Sequence, residues 1–201
     1  MNSNNKTIIL AAITAISALG LLAGGEVSAD EEIDTWSIFA YGGKWSDNRI
    51  GEIIQGRTKL RSSYVWVGGV SRKVHDFNDD LQLEMEFNVA RHSGKQDHYE
   101  FNAAASLRWQ SFPWDRYVNS TLSYGLGPSY AERRPPIEQR SDRDPTHVLV
   151  FMPVEITFGP PEKYDLPWEV LLRVHHRSGA YGVVSDAGGS NIISTGLRFR
   201  F

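Results

Sequence analysis

Two segments near the carboxy terminus, Trp168–Ser178 (WEVLLRVHHRS) and Asn191–Phe201 (NIISTGLRFRF), alternate apolar and polar residues, and the second ends on an aromatic. A period of two puts alternate side chains on opposite faces of an extended strand. Such a strand must show its apolar row to a core or to lipid. The amino-terminal residues favour lipid. Lys6 supplies a positive end, Ile8–Leu22 an apolar stretch, and Val27-Ser28-Ala29 a small-residue cleavage site. Residues 1–29 read as a cleaved signal peptide and residues 30–201 as a single outer-membrane domain of roughly 170 residues. An exported chain whose last strand ends on an aromatic predicts an all-β fold, an eight-stranded antiparallel transmembrane β-barrel in the cell outer membrane.

Eight candidate strands fit that expectation. They lie near Trp36–Gly43, Tyr64–Arg72, Leu81–Arg91, Tyr99–Trp109, Tyr117–Tyr130, Val148–Phe158, Trp168–Ser178 and Asn191–Phe201. The pattern is cleanest in the middle, where Leu81, Leu83, Met85, Phe87 and Val89 oppose Gln82, Glu84, Glu86 and Asn88. Compact turns at His75–Asp80, Phe112–Asp115 and Gly159–Pro167 alternate with longer segments at Ser46–Ser63, His92–His98, Glu132–His147 and Gly179–Ser190. Short periplasmic turns and longer outer loops are the habit of such barrels. This topology puts Trp109, Phe158, Trp168, Phe199 and Phe201 at the periplasmic rim, and Tyr64, Trp66, Tyr99, Phe101 and Tyr130 at the outer rim. The inward set then holds Glu84, Glu86, Glu100, Glu155 and Glu169 together with Arg108, Arg173, Arg198 and Arg200, which can neutralise one another.

The chain has no cysteines, so no disulfide holds it. A closed barrel needs none, because every backbone group pairs around the ring. A net charge of −3 argues against a general nucleic-acid binder. Residues after the signal peptide contain no apolar run of about 18 residues, the length of a spanning helix. A soluble β-sandwich or lipocalin-like barrel is the competing architecture, with the apolar face turned inward. The aromatic terminus and the two rim belts favour the membrane barrel.

Chemistry concentrates on the penultimate strand. Its outward row is Trp168, Val170, Leu172, Val174, His176 and Ser178, so the imidazole and the hydroxyl sit at the outer-leaflet end. His175 points inward as a structural residue. The last strand follows by a hairpin, and its outward row runs from Phe201 up to Asn191, bringing Asn191 near His176. A serine hydroxyl becomes a nucleophile when a base removes its proton, a histidine does so at neutral pH, and a third group orients the ring. Backbone N–H groups at Gly179 and Ala180 are candidate oxyanion donors. No sequence cluster has metal-ligand spacing and no glycine-rich phosphate motif occurs, so neither metal nor cofactor is expected.

These residues resemble those of the lipid A 3-O-deacylases of the PagL type, eight-stranded outer-membrane barrels. That family hydrolyses the ester-linked acyl chain at the 3-position of lipid A without a cofactor. Its site is a His-x-Ser motif on the next-to-last strand, completed by a Glu early on the last. Here His176-Arg177-Ser178 matches the His-x-Ser and Asn191 stands in the place of the Glu. The likeness is specific over about thirty residues and architectural before them. It implies Ser178 as nucleophile, His176 as general base, Asn191 as orienting residue, and lipid A of lipopolysaccharide, among the membrane lipids, as partner. An amide can accept a hydrogen bond but brings no negative charge to an imidazolium. Asp186 is the carboxylate between Ser178 and the carboxy terminus. The alternative is a small non-catalytic outer-membrane barrel with a structural or binding role.

Overall fold

The computed structural model describes residues 36–139, 144–164, 166–180, 183–185 and 188–201. The signal segment 1–29 and Asp186 lie outside the described residues. Nine strand segments follow in order: β1 (Trp36–Ser46), β2 (Leu60–Asn78), β3 (Leu81–Gly94), β4 (His98–Trp109), β5 (Asn119–Ala131), β6 (Val148–Phe151), β7 (Val154–Gly159), β8 (Trp168–Ser178) and β9 (Ser190–Arg200). Each is antiparallel to its neighbours, and the β1–β9 pairing closes the sheet into a barrel. Trp36 and Phe201 exchange backbone hydrogen bonds at the seam.

The barrel has eight staves because β6 and β7 form one stave, interrupted at Met152-Pro153. Pro153 has no N–H to give to a ladder, so pairing breaks there. The alternation nevertheless runs through the break: Phe151, Pro153, Glu155 and Thr157 are buried, while Val150, Met152, Val154 and Ile156 face out. The Met152 N–H still donates to the His176 carbonyl across the gap, at 2.8 Å. The expected strand Val148–Phe158 is thus one stave in two pieces.

Strands β2 and β3 are longer than the alternation predicts. The turn at the terminus end shrinks to Asp79-Asp80, because the Asn78 side-chain oxygen accepts the N–H groups of Asp80 and Leu81, both at 2.9 Å. This local bond substitutes for a longer turn. At the other end β3 runs on to Gly94, leaving three residues before β4.

The exterior is apolar. Ile38, Phe87, Val89, Leu107, Leu122, Leu126, Leu172 and Leu197 are exposed. Trp36, Trp109, Trp168, Phe199 and Phe201 are exposed at the end that carries the termini, and Tyr64, Trp66, Tyr99, Phe101 and Tyr130 toward the other. An apolar band between two aromatic girdles is the surface of a lipid-embedded barrel.

The interior is filled and largely charged. Arg108 donates to both oxygens of Glu84, at 2.9 and 3.1 Å, and to Glu155 at 2.8 Å. Arg173 bridges Glu155 at 2.8 Å and Glu86 at 2.6 and 2.9 Å. Arg198 reaches Glu84 at 2.7 Å. Burying isolated charges would be prohibitive, and this mutual pairing is what makes the interior tolerable. Arg200 sits less deeply than expected, with a side chain 31% exposed, 3.6 Å from Glu169. A smaller apolar cluster of Phe39, Tyr41, Val65, Val67, Ala90, Leu171 and Ile192 packs beside the charged layer.

Candidate functional site

Burial along β8 alternates strictly. Glu169, Leu171, Arg173, His175 and Arg177 are buried, whereas Trp168, Val170 and Leu172 are exposed and Val174, His176 and Ser178 are half-buried. His176 and Ser178 therefore lie on the outer surface, at the end away from the termini. His175 points inward, where its ring nitrogens bond to the Tyr41 hydroxyl at 2.8 Å and to Glu100 at 2.7 Å.

The wall at this point is held from inside by Arg177, the residue between His176 and Ser178. Its guanidinium donates to Ser129 Oγ at 2.8 Å, to both oxygens of Glu138 at 2.8 and 3.0 Å, and to the His147 carbonyl at 3.2 Å. Glu138 ends a single helical turn, Pro136–Glu138, that tucks into the barrel mouth, and it also accepts the Ser190 hydroxyl at 2.8 Å. One buried carboxylate thus ties β8 to β9 directly behind the outward pair. Gly189 lets the strands meet so closely: a Cβ there would lie 2.1 Å from the Arg177 carbonyl oxygen.

Burial pushes the Glu138 carboxyl up to about 7; Arg177 pulls it down, and the charge of Glu100 adds to the rise. A raised folded-state value favours the protonated form. The resulting stabilisation is complete below the ordinary value of 4.5 and is lost as pH climbs through about 7. Compared with a Glu138→Gln variant, the wild-type barrel should lose unfolding free energy between those pH values. Urea unfolding at a series of pH values checks this, and parallel profiles for the two proteins would contradict it.

On the outer surface His176 and Asn191 are directly paired across β8 and β9. The imidazole Nδ1 lies 3.2 Å from the Ser190 carbonyl oxygen. A carbonyl only accepts, so this contact requires the proton on Nδ1 and leaves the Nε2 lone pair free. Asn191 donates its Nδ2 to the Asn48 carbonyl at 2.9 Å, and its Oδ1 is buried without a hydrogen-bond partner. Asn48 belongs to the first loop, which carries the short helix α1 (Ile50–Ile54) and is drawn over the site by this bond. The Ser178 hydroxyl accepts the Ala180 N–H at 3.1 Å, with Ala180 itself in the left-handed region at φ 51. That candidate oxyanion donor is therefore bonded to Ser178 itself. Among the described residues no hydrogen bond joins Ser178 to the His176 ring.

Below His176, toward the middle of the barrel wall, runs an apolar cleft of about 570 Å³ lined by Gly42, Tyr64, Trp66, Leu172, Ile193 and Thr195. Gly42, in its wall, has no side chain. The Trp66 ring lies across that position, 2.8 Å from where a Cβ would stand. Lys44, at the cleft's upper edge, stacks its ammonium over the Tyr64 ring at 5.2 Å. Sequence patterning identified the outward pair and its partner Asn191, but it missed the cleft, the Ser190 carbonyl and the Glu138 anchor. The absence of a side chain at Gly42 was the one visible signal.

A closed eight-stave barrel with an apolar, aromatic-girdled exterior defines the chain as an integral β-barrel of the outer-membrane class. Solved structures bear out the fold. The outer membrane enzyme PagL superposes with a TM-score of 0.59 at 10% identity, covering 82% of this chain and 99% of that one. A de novo designed transmembrane β-barrel gives 0.50 at 9% identity over 85% and 98%. Neisserial surface protein A gives 0.50 at 11% identity over 83% and 97%. No known family profile and no curated protein matches the sequence.

Proposed function

We propose that this barrel is a serine-type ester hydrolase that removes an ester-linked acyl chain from lipid A in the outer leaflet. The observation that carries the reading is a histidine and a serine, two apart on the lipid-facing row of β8, with an apolar cleft further along the same wall, reached on β8 at Leu172. Ser178 is the nucleophile. His176 Nε2 takes its proton, and the Nδ1 contact to the Ser190 carbonyl at 3.2 Å holds the useful tautomer. In a serine triad, exchanging the carboxylate for its amide costs about 10⁴ in turnover, through the wrong tautomer. A backbone carbonyl as the Nδ1 partner avoids that loss. Asn191 keeps an orienting role through its position, paired directly with His176 across β8 and β9 and tied by its Nδ2 to the Asn48 carbonyl.

The cleft holds an acyl chain beneath the reacting ester, and Lys44 above it suits an anionic headgroup. Filling the cleft by Thr195→Trp should reduce deacylation at least 10-fold while leaving heat-modifiable gel migration intact. Undiminished activity in that variant would remove the cleft from the account. Mass spectrometry of lipid A from cells with and without the folded protein tests the reading as a whole. Loss of one hydroxyacyl mass supports it, and identical spectra reject it.

A second reading, a non-catalytic barrel, is favoured by one observation: the Ser178 hydroxyl bonds to the Ala180 N–H and not to His176. Under that reading Ser178 and His176 tolerate substitution with no change in lipid A.

A further inference from the structure

A second polar cluster lies inside the barrel mouth, on the opposite side of the wall from His176. The β3–β4 hairpin pairs His92 directly with His98, and Glu100 follows two residues along the same inward row. Potential ligand atoms of His92, His98 and Glu100 all lie within 4.8 Å of one another, and all three residues are buried. We propose that His92, His98 and Glu100 form a binding site for a divalent transition-metal ion of the zinc type.

Several observations converge on it. Two imidazoles and a carboxylate are a recurrent zinc-binding set. His98 is 2% exposed, yet its Nε2 has no hydrogen-bond partner. Burying such a nitrogen without a partner is costly, and a metal removes the cost. Gln96 is 4% exposed, donates its Nε2 to His92 Nδ1 at 2.7 Å, and leaves its Oε1 unbonded. In that arrangement His92 carries its proton on Nε2, directed at Glu100 at 3.0 Å. A flip of the Gln96 amide reverses this. Its Oε1 then accepts a proton on Nδ1, and His92 Nε2 becomes a free ligand backed by an outer-shell hydrogen bond. Bond lengths of about 2.0–2.2 Å around a tetrahedral ion set ligand atoms roughly 3.3–3.6 Å apart, so binding turns the His92 and His98 rings out of their stacked arrangement at 4.5 Å.

At the mouth, Arg177 lies 3.5 Å from Glu100 and 2.8 Å from Glu138, and three imidazoles stand around Glu100. The third, His175, holds the other Glu100 oxygen at 2.7 Å and fixes its orientation. An ion has a way in. A cleft of about 250 Å³ reaches His98 and Gln96 from the loops, with Asp97, Lys95, Arg133 and Arg134 on its rim. Those three cations slow entry of a metal ion, so uptake should accelerate as salt screens them.

The test uses the full barrel, folded in detergent, stripped with a chelator and titrated with zinc chloride against a chromophoric competitor. Wild type is expected to bind one zinc per chain. His98→Asn and His92→Gln should each weaken binding at least 10-fold, and His75→Gln, on the exposed end of β2, should not. Heat-modifiable migration shows whether each variant is folded, and His98→Asn removes a ring nitrogen, Nε2, that has no hydrogen-bond partner among the described residues. Absence of stoichiometric zinc in the wild type overturns the proposal. So does undiminished binding in either folded variant, which would mark the zinc as adventitious. Neither outcome bears on the hydrolase reading, because His176 and Ser178 are untouched.

Discussion

Replacing Ser178 by alanine is expected to abolish lipid A deacylation while the barrel folds normally. Removing the nucleophile of a serine–histidine pair lowers turnover by about 10⁴–10⁶. The change trims one half-buried hydroxyl from the outer surface and forfeits a single bond, from the Ala180 N–H at 3.1 Å. Folding should therefore survive, with less than about 1 kcal/mol lost. His176→Gln should behave similarly, because glutamine can still meet the Ser190 carbonyl but cannot act as a base near neutral pH. Mass spectrometry of lipid A from cells making equal amounts of each folded variant provides the measurement. A Ser178→Ala barrel that still deacylates would dismiss this site even if the activity were real.

The largest effect on stability is expected at Glu155, on the inner face of β7. Its carboxylate accepts from Arg108 and Arg173, each at 2.8 Å, with Arg198 a further 3.6 Å away. Glu155→Ala would leave buried guanidinium groups without their counter-charge. Removing one member of a buried ion network costs about 3–5 kcal/mol, chiefly through the charge left behind. Urea unfolding should show a loss of that size, together with a lower temperature for conversion to the slow-migrating form on gels. Glu132→Ala, in the loop after β5, should change stability by no more than about 0.5 kcal/mol. A loss at Glu155 below about 1 kcal/mol would mean that water or relaxation compensates inside the barrel.

Much of the architecture was legible because a membrane barrel imposes one rule on every spanning residue: alternate sides meet lipid. Leu83, Met85, Phe87 and Val89 could be read as outward for that reason, and Glu84 and Glu86 as inward. The rule weakens beyond the bilayer, where both faces meet water. The extensions of β2 down to Asn78 and of β3 up to Gly94 were hidden for that reason. Pro153 was visible in the sequence, but it falls on the inward row, so the outward row of Val150, Met152, Val154 and Ile156 ran on unbroken and concealed the break between β6 and β7.

The candidate site divides along the same line. His176, Ser178 and Asn191 followed from strand register alone. The bond from Arg177 to Glu138 did not, since a loop carboxylate folded into a barrel mouth leaves no periodic trace. Nor did the proximity of His92, His98 and Glu100, which depends on a three-residue hairpin that sequence patterning read as a longer loop. Register also could not tell which acceptor meets His176 Nδ1. A backbone carbonyl has no sequence signature, and only coordinates distinguish Ser190 from Asn191 as its partner.

Purified, folded barrel incubated with lipid A in mixed micelles tests the central claim most directly, with products followed by mass spectrometry. The account predicts release of one hydroxy fatty acid per lipid A by the wild-type protein and none by Ser178→Ala. Lipid A that stays fully acylated in the presence of the folded wild-type barrel would contradict it.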